Sequence, residues 1–249
     1  MINYQKFDQK KLRQIYCSSE FSHIVIDDFI NEEIANVLYE NFPSINDCSW
    51  WEYNNVFEKK YAMNNLTKLN SVFQNVFNEL LSYQFTSFLS SVTGIENILS
   101  DPSLFGGGLH QIVRGGKLDI HSDFPVHRIT GWKRQINLIY YCNKDWKKEY
   151  GGDLELWDDN MKNCLETIQP SFNRAVIFYT GGSHNNHGHP KPLTCPPDNS
   201  RKSLASYYYT FEKSLIDPIN KSTLYKRRPK DPYSKEKELL RIKRAKGRI

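Results

Sequence analysis

No uninterrupted apolar run in this chain approaches the ~18 residues that a membrane-crossing helix needs. Residues 1–17 carry Lys and Gln where a secretory leader would be apolar. Cysteine is sparse and scattered. Cys17, Cys48, Cys142, Cys164 and Cys195 are odd in number and make no C-x-x-C pair, which argues against a disulfide framework or a zinc knuckle. These absences together point to a cytoplasmic protein with no membrane partner. There is no repeat at solenoid spacing and no low-complexity tract. Phosphate and nucleophile motifs are missing too. Gly106-Gly107-Gly108 is not followed by G-K-[ST], and Gly181-Gly182-Ser183-His184-Asn185 misses G-x-S-x-G. Cys195 near His189 lacks the partners a zinc site requires.

What is present can build a core. The chain has 249 residues, 39% of them hydrophobic and 14% aromatic, too apolar for a disordered protein and long enough for one large domain. Its net charge of +5 is unevenly spread. From 221 to 249 there are 12 Lys and Arg against 3 acidic residues, so the remainder is slightly acidic.

Three regions follow from the pattern. Residues 1–100 read as a mainly helical support with one early strand at 23–26. Asn31 would cap a helix opening with Glu32 and Glu33. A longer amphipathic helix spans about 69–92, where Leu69, Val72, Phe73, Val76, Phe77, Leu80 and Leu81 recur at i, i+3, i+4. Residues 101–214 form short β-rich runs, at 108–113, 135–142, 153–157, 174–179 and 204–211, separated by Gly, Pro, Asn and Asp. No helix interrupts them, which favours an antiparallel sandwich or jelly roll. Residues 215–249 are a basic tail with a short charged helix near 234–246 and little to hold it down.

The polar residues most out of place lie in the β-rich region. His121 and Asp123 stand two apart, so on a strand they present an imidazole and a carboxylate to one face. A third imidazole from the loop holding His184, His187 and His189 would complete a two-histidine, one-carboxylate face with open positions on a metal, the set used by non-haem Fe(II) oxygenases. Arg201 could grip a carboxylate in two places, and Ser203 would share its face. On the run 134–141, Asn137, Ile139 and Tyr141 share one face, so Asn137 and Tyr141 could hydrogen-bond a cosubstrate, or Tyr141 could simply pack in the core.

From 104 to 211 the chain resembles the prolyl 4-hydroxylase-like branch of the Fe(II)/2-oxoglutarate oxygenases. The similarity runs through 107–111, 117–124, 137–146, 150–157, His187-Gly188-His189-Pro190 and 200–210. It implies a double-stranded β-helix with N-terminal helices, iron held by His121, Asp123 and His187, and 2-oxoglutarate bound by Arg201 and Tyr141. His187 is chosen because the family places its ligand just before the Gly-x-Pro turn. O2 would be the second cosubstrate, with ascorbate keeping the iron reduced. Asp123 favours hydroxylation over halogenation, because halogenating relatives carry a small residue there.

The expected activity is therefore hydroxylation of an unactivated C–H bond in a peptide, a protein or a small molecule, with a prolyl residue as the target the resemblance implies or a small metabolite in its place. The alternative is a non-catalytic jelly-roll binding module, against which the complete ligand spacing argues. A nucleic-acid demethylase is disfavoured, since the R-x-N-x-T-x-R signature is missing.

Overall fold

The computed structural model describes residues 1–46, 50–182, 185–211 and 222–246. Cys48, His184 and the junction at 212–221 lie outside them. In chain order the main elements begin with α1 (Gln9–Ser18), β1 (His23–Ile26), α2 (Glu32–Glu40), β2 (Trp51–Asn54) and β3 (Glu58–Met63). Next come α3 (Ser71–Leu80), α4 (Tyr83–Thr93), β4 (Leu99–Ser100), β5 (Gly108–Val113), β6 (Lys117–Ser122) and β7 (Lys133–Tyr141). The order closes with β8 (Leu154–Trp157), β9 (Cys164–Ile168), β10 (Arg174–Tyr179), β11 (His187–His189), β12 (Ser200–Thr210), β13 (Leu224–Tyr225) and α5 (Lys235–Ala245).

The strands make one antiparallel sheet in the order β1-β10-β7-β12-β5-β3-β6-β11-β8-β9, curled on itself into the half-barrel of a jelly roll. Helices cover its outer face. Phe29, Phe73, Phe77 and Phe85 are fully buried there among Leu109, Leu138, Tyr140 and Leu204 of the sheet. Burying each phenyl ring stabilises the fold by about 1.5–3 kcal/mol. A second cluster lies within the curl, where Tyr141, Leu154, Leu156 and Phe178 pack together.

The N-terminal region differs from its sequence pattern in two ways. The amphipathic stretch at 69–92 is two helices, not one. Ser82 ends the first and caps the second, its Oγ accepting from Phe85 N at 3.2 Å. The region also supplies β2, β3 and the short β4 in addition to β1. Lys59, Lys60 and Tyr61 follow no clean alternation, because β3 is only partly buried and is shared between β5 and β6. Asn31 does cap α2, its Oδ1 accepting from Glu33 N at 3.0 Å.

The C-terminal segment is held down, and the acidic body supplies the hold. β13 pairs with β6, setting Tyr225 opposite His121. The Tyr225 ring stacks on Phe57 with centroids 4.2 Å apart. Lys237 of α5 reaches Asp119 and Arg228 reaches Glu155 at 3.1 Å. The uneven charge of the sequence is thus partly an internal complementarity between tail and body.

Candidate active site

The curl of the sheet encloses a cavity of about 570 Å³. His121 comes from the end of β6, Asp123 follows it, and His187 opens β11. His187 therefore lies on a short strand rather than a loop. β11 pairs with β6 so that His187 faces His121 directly. Three residues are too few to show a period in the sequence.

The three side chains converge. His121 Nε2 lies 3.6 Å from Asp123 Oδ1, and His187 Nε2 lies 3.6 Å from Asp123 Oδ2. One ligand atom from each lies within 4.8 Å of the others. The tautomers follow from the partners. His121 Nδ1 meets the Asp119 carbonyl at 3.0 Å, and His187 Nδ1 meets the Asn185 carbonyl at 2.7 Å. A carbonyl only accepts, so each Nδ1 carries the proton and each Nε2 keeps its lone pair for the centre. Burial pushes the His187 imidazole down to about 4, against the pull of Asp123, so it is neutral at neutral pH. Burial alone would raise the Asp123 carboxyl. The Arg134 guanidinium, then His187 and His121, outweigh it and hold the carboxyl well below the usual carboxylate range. Two imidazoles and one carboxylate, with the Nδ1 protons turned away from the centre, fit a divalent iron.

Asn185 and Asn186 fix this frame from behind. Asn185 Oδ1 accepts from the Asp123 backbone N–H at 2.8 Å, and Asn186 Oδ1 accepts from Ser122 Oγ at 2.8 Å. Gly188 is required between the histidines, since a Cβ there would come 2.8 Å from the Leu118 carbonyl oxygen on β6.

Arg201 reaches the cavity despite the Pro-rich segment before it. It is 4% exposed, and β12 carries it beside β5. Its Nε donates to the Gly152 carbonyl at 2.8 Å and its Nη2 to the Tyr141 hydroxyl at 3.1 Å. Gly152 sits at φ +81°, and a Cβ there would approach Arg201 Cδ to 2.9 Å. Tyr141 thus acts through the guanidinium. Ser203 is buried on the cavity wall, level with His110 of β5 and Tyr141 of β7. Asn137 is placed elsewhere than at Arg201: its Nδ2 lies 3.4 Å from Asp123 Oδ2. A buried guanidinium fixed on the wall of this cavity suits a carboxylate such as that of 2-oxoglutarate.

The sequence reading overlooks Arg134. It is fully buried, its Nη2 lies 2.9 Å from Asp123 Oδ2, and its guanidinium stacks 3.4 Å over the Tyr207 ring. By strict alternation it would share the helix-covered face with Ile136 and Leu138. The pairing of β12 with β7 slips between Tyr208 and Tyr209, where Tyr208 faces Ile136 and Tyr209 faces Arg134. That bulge turns Arg134 to the cavity side. Flanked by Lys133 and Gln135 at the polar start of β7, Arg134 carried no distinct signal in the sequence.

A jelly roll with a two-histidine, one-carboxylate face and a buried arginine defines the class of Fe(II)-dependent oxygenases. Comparison with known proteins agrees. Residues 107–209 match the 2OG-Fe(II) oxygenase superfamily. The chain is an Fe(II)- and 2-oxoglutarate-dependent dioxygenase. The fold is similar to that of a Pseudomonas putida prolyl-4-hydroxylase, with TM-score 0.56 and 13% identity over 82% of this chain and 100% of that one. It is also similar to a Trichoplax adhaerens prolyl hydroxylase in complex with a hypoxia inducible factor oxygen degradation domain peptide fragment. There the TM-score is 0.54, with 17% identity over 84% of this chain and 94% of that one. HygX from Streptomyces hygroscopicus, with nickel, 2-oxoglutarate and hygromycin B bound, gives TM-score 0.56 and 10% identity over 81% and 87% of the two chains.

Proposed function

We propose that this dioxygenase hydroxylates an unactivated C–H bond in a peptide, at a prolyl residue. The observation that carries hydroxylation is the complete triad, with Asp123 fixed between Arg134 and the two histidines. His121, Asp123 and His187 would hold the iron, and Arg201 with Tyr141 would hold 2-oxoglutarate. When bound, these supply the oxidative decarboxylation to succinate and CO2 that is coupled to oxidation of the substrate carbon.

The chain's own residues position and exclude. Arg134 keeps the Asp123 carboxylate ionised, and Asn137 Nδ2 reaches the same carboxylate at 3.4 Å. Phe178 packs its ring 4.7 Å from that of His187, which limits water on that side. The cavity opens past the β2–β3 hairpin, where Trp51 is 69% exposed, and past Arg128. An open mouth with an exposed indole favours a chain laid across the surface over an engulfed metabolite. The similarity in fold to prolyl hydroxylases, one of them peptide-bound, supports the same reading.

The test is a turnover screen with Fe(II), 2-oxoglutarate and O2 against proline-containing peptides and a metabolite set. Succinate release matched by gain of one oxygen atom on a prolyl residue is the expected result. Turnover confined to a free metabolite overturns the peptide assignment. Absence of succinate with every substrate, unchanged by His121→Ala, overturns the hydroxylase reading.

A further inference from the structure

The described histidines all have hydrogen-bond partners except one. His23 meets the Phe21 carbonyl, His127 meets Asp101, and His121 and His187 meet backbone carbonyls. His110 bonds the backbone at Gly106. His189 has none: both ring nitrogens are buried without a donor or acceptor. Yet the residue is only 3% exposed and lines the same cavity as Arg201. A buried imidazole always carries at least one N–H, and leaving it unpaired is costly. Something other than the protein must complete it.

The position of His189 says what that is. It stands two residues beyond His187 on β11, with Gly188 seating the strand against β6. The positive groups acting on it include Arg201, Lys60 and Lys117. An imidazole lining the same cavity as a guanidinium offers an N–H toward whatever anion that guanidinium gathers.

We infer that His189 is a second cosubstrate-binding residue, donating its ring N–H to the carboxylate of 2-oxoglutarate that Arg201 grips. The inference rests on Arg201 being that carboxylate's anchor. It makes His189 a positioning residue. The guanidinium supplies the charge, and the imidazole fixes how the carboxylate is turned. A shorter or longer dicarboxylate gripped by Arg201 would set its other end out of register with the triad, so His189 adds length selectivity.

The experiment is calorimetric titration of 2-oxoglutarate, without oxygen, into the full chain loaded with Mn(II). His189→Leu should weaken binding by about ten-fold or more, the effect of one hydrogen bond to a charged group. His189→Gln, which keeps a donor, should recover most of it, and both should bind Mn(II) as the parent does. Equal 2-oxoglutarate affinity in all three proteins overturns the inference. If His189→Leu does not fold, the parent decides the question. In 15N-histidine-labelled, Zn(II)-loaded protein the His189 N–H resonance should shift on adding 2-oxoglutarate, and an unmoved resonance overturns the inference. The underlying reading fails separately. Parent protein that does not bind 2-oxoglutarate, or Arg201→Leu that binds it undiminished, removes Arg201 as the anchor.

Discussion

Lys237 of the C-terminal helix lies 2.5 Å from Oδ2 of Asp119, the residue whose carbonyl fixes the tautomer of the candidate metal ligand His121. The basic tail is thereby tied to the strand that carries the iron site. Lys117 of the same strand shares that carboxylate, so Asp119 keeps one cation when Lys237 is removed.

Lys237→Ala should therefore loosen the tail without dissolving the fold. The pair is partly buried, and about 1 kcal/mol is a fair scale for it, or a fall in Tm of roughly 2–4 °C at this chain length. Hydrogen exchange over 222–246 should accelerate. Exchange in the α3 and α4 helices should not change, because their core lies on the far face of the sheet.

Arg134→Leu should act on the site more severely. It removes the cation beside a buried carboxylate, and such a loss costs about 3 kcal/mol or more. A bound metal would partly replace the missing positive charge. The expected result is a large drop in Tm for the metal-free protein and a larger rise on adding Mn(II) than the parent shows. Equal metal-induced shifts in the two proteins would remove Arg134 as the partner of Asp123.

The contrast between these two residues explains what was legible. His121 and Asp123 could be read because a spacing of two in a strand has a fixed geometric meaning, and β5 and β10 announce themselves as short β-branched runs. The jelly roll followed from a series of such runs with no intervening helix. Arg134 was hidden by a bulge, which breaks the alternation on which face assignments depend. His189 was visible only as one of several histidines in a loop-like stretch, since being unpaired is a property of the fold. The docking of the tail depends on charge pairs distant in sequence, 118 positions apart for Lys237 with Asp119 and 73 for Arg228 with Glu155, and no local pattern encodes them.

Gly152→Ala should separate cosubstrate binding from metal binding. The added methyl would meet Arg201 Cδ at 2.9 Å and Leu193 Cδ2 at 2.8 Å, at a φ of +81° that already disfavours a side chain. Arg201 must then shift off the Gly152 carbonyl. The dissociation constant for 2-oxoglutarate should rise about ten-fold, the scale of one charge-assisted hydrogen bond, while Mn(II) affinity stays unchanged. Calorimetry of both ligands on one preparation makes the comparison.

Glu58 gives a pH-dependent test of how the tail is seated. It is buried, 3.2 Å from Lys60 Nζ, and hydrogen-bonded to Tyr225 and Asn55. Burial would raise its carboxyl, but Lys60 and these hydrogen bonds outweigh burial and set it below the ordinary value of 4.5. A carboxyl depressed in the folded state contributes stability that is fully present above its unfolded value. That contribution is lost as pH falls from 4.5 through the lower folded-state value. The Tm difference between the parent and Glu58→Gln should therefore be constant above about pH 5 and shrink progressively below it. Because Tyr225 of β13 is one of the partners, exchange at 224–225 should rise over the same acid range in the parent. In Glu58→Gln it should be fast at every pH. A Tm difference that does not change between pH 6 and the acid limit of folding would show that the depressed carboxyl is not what Glu58 contributes.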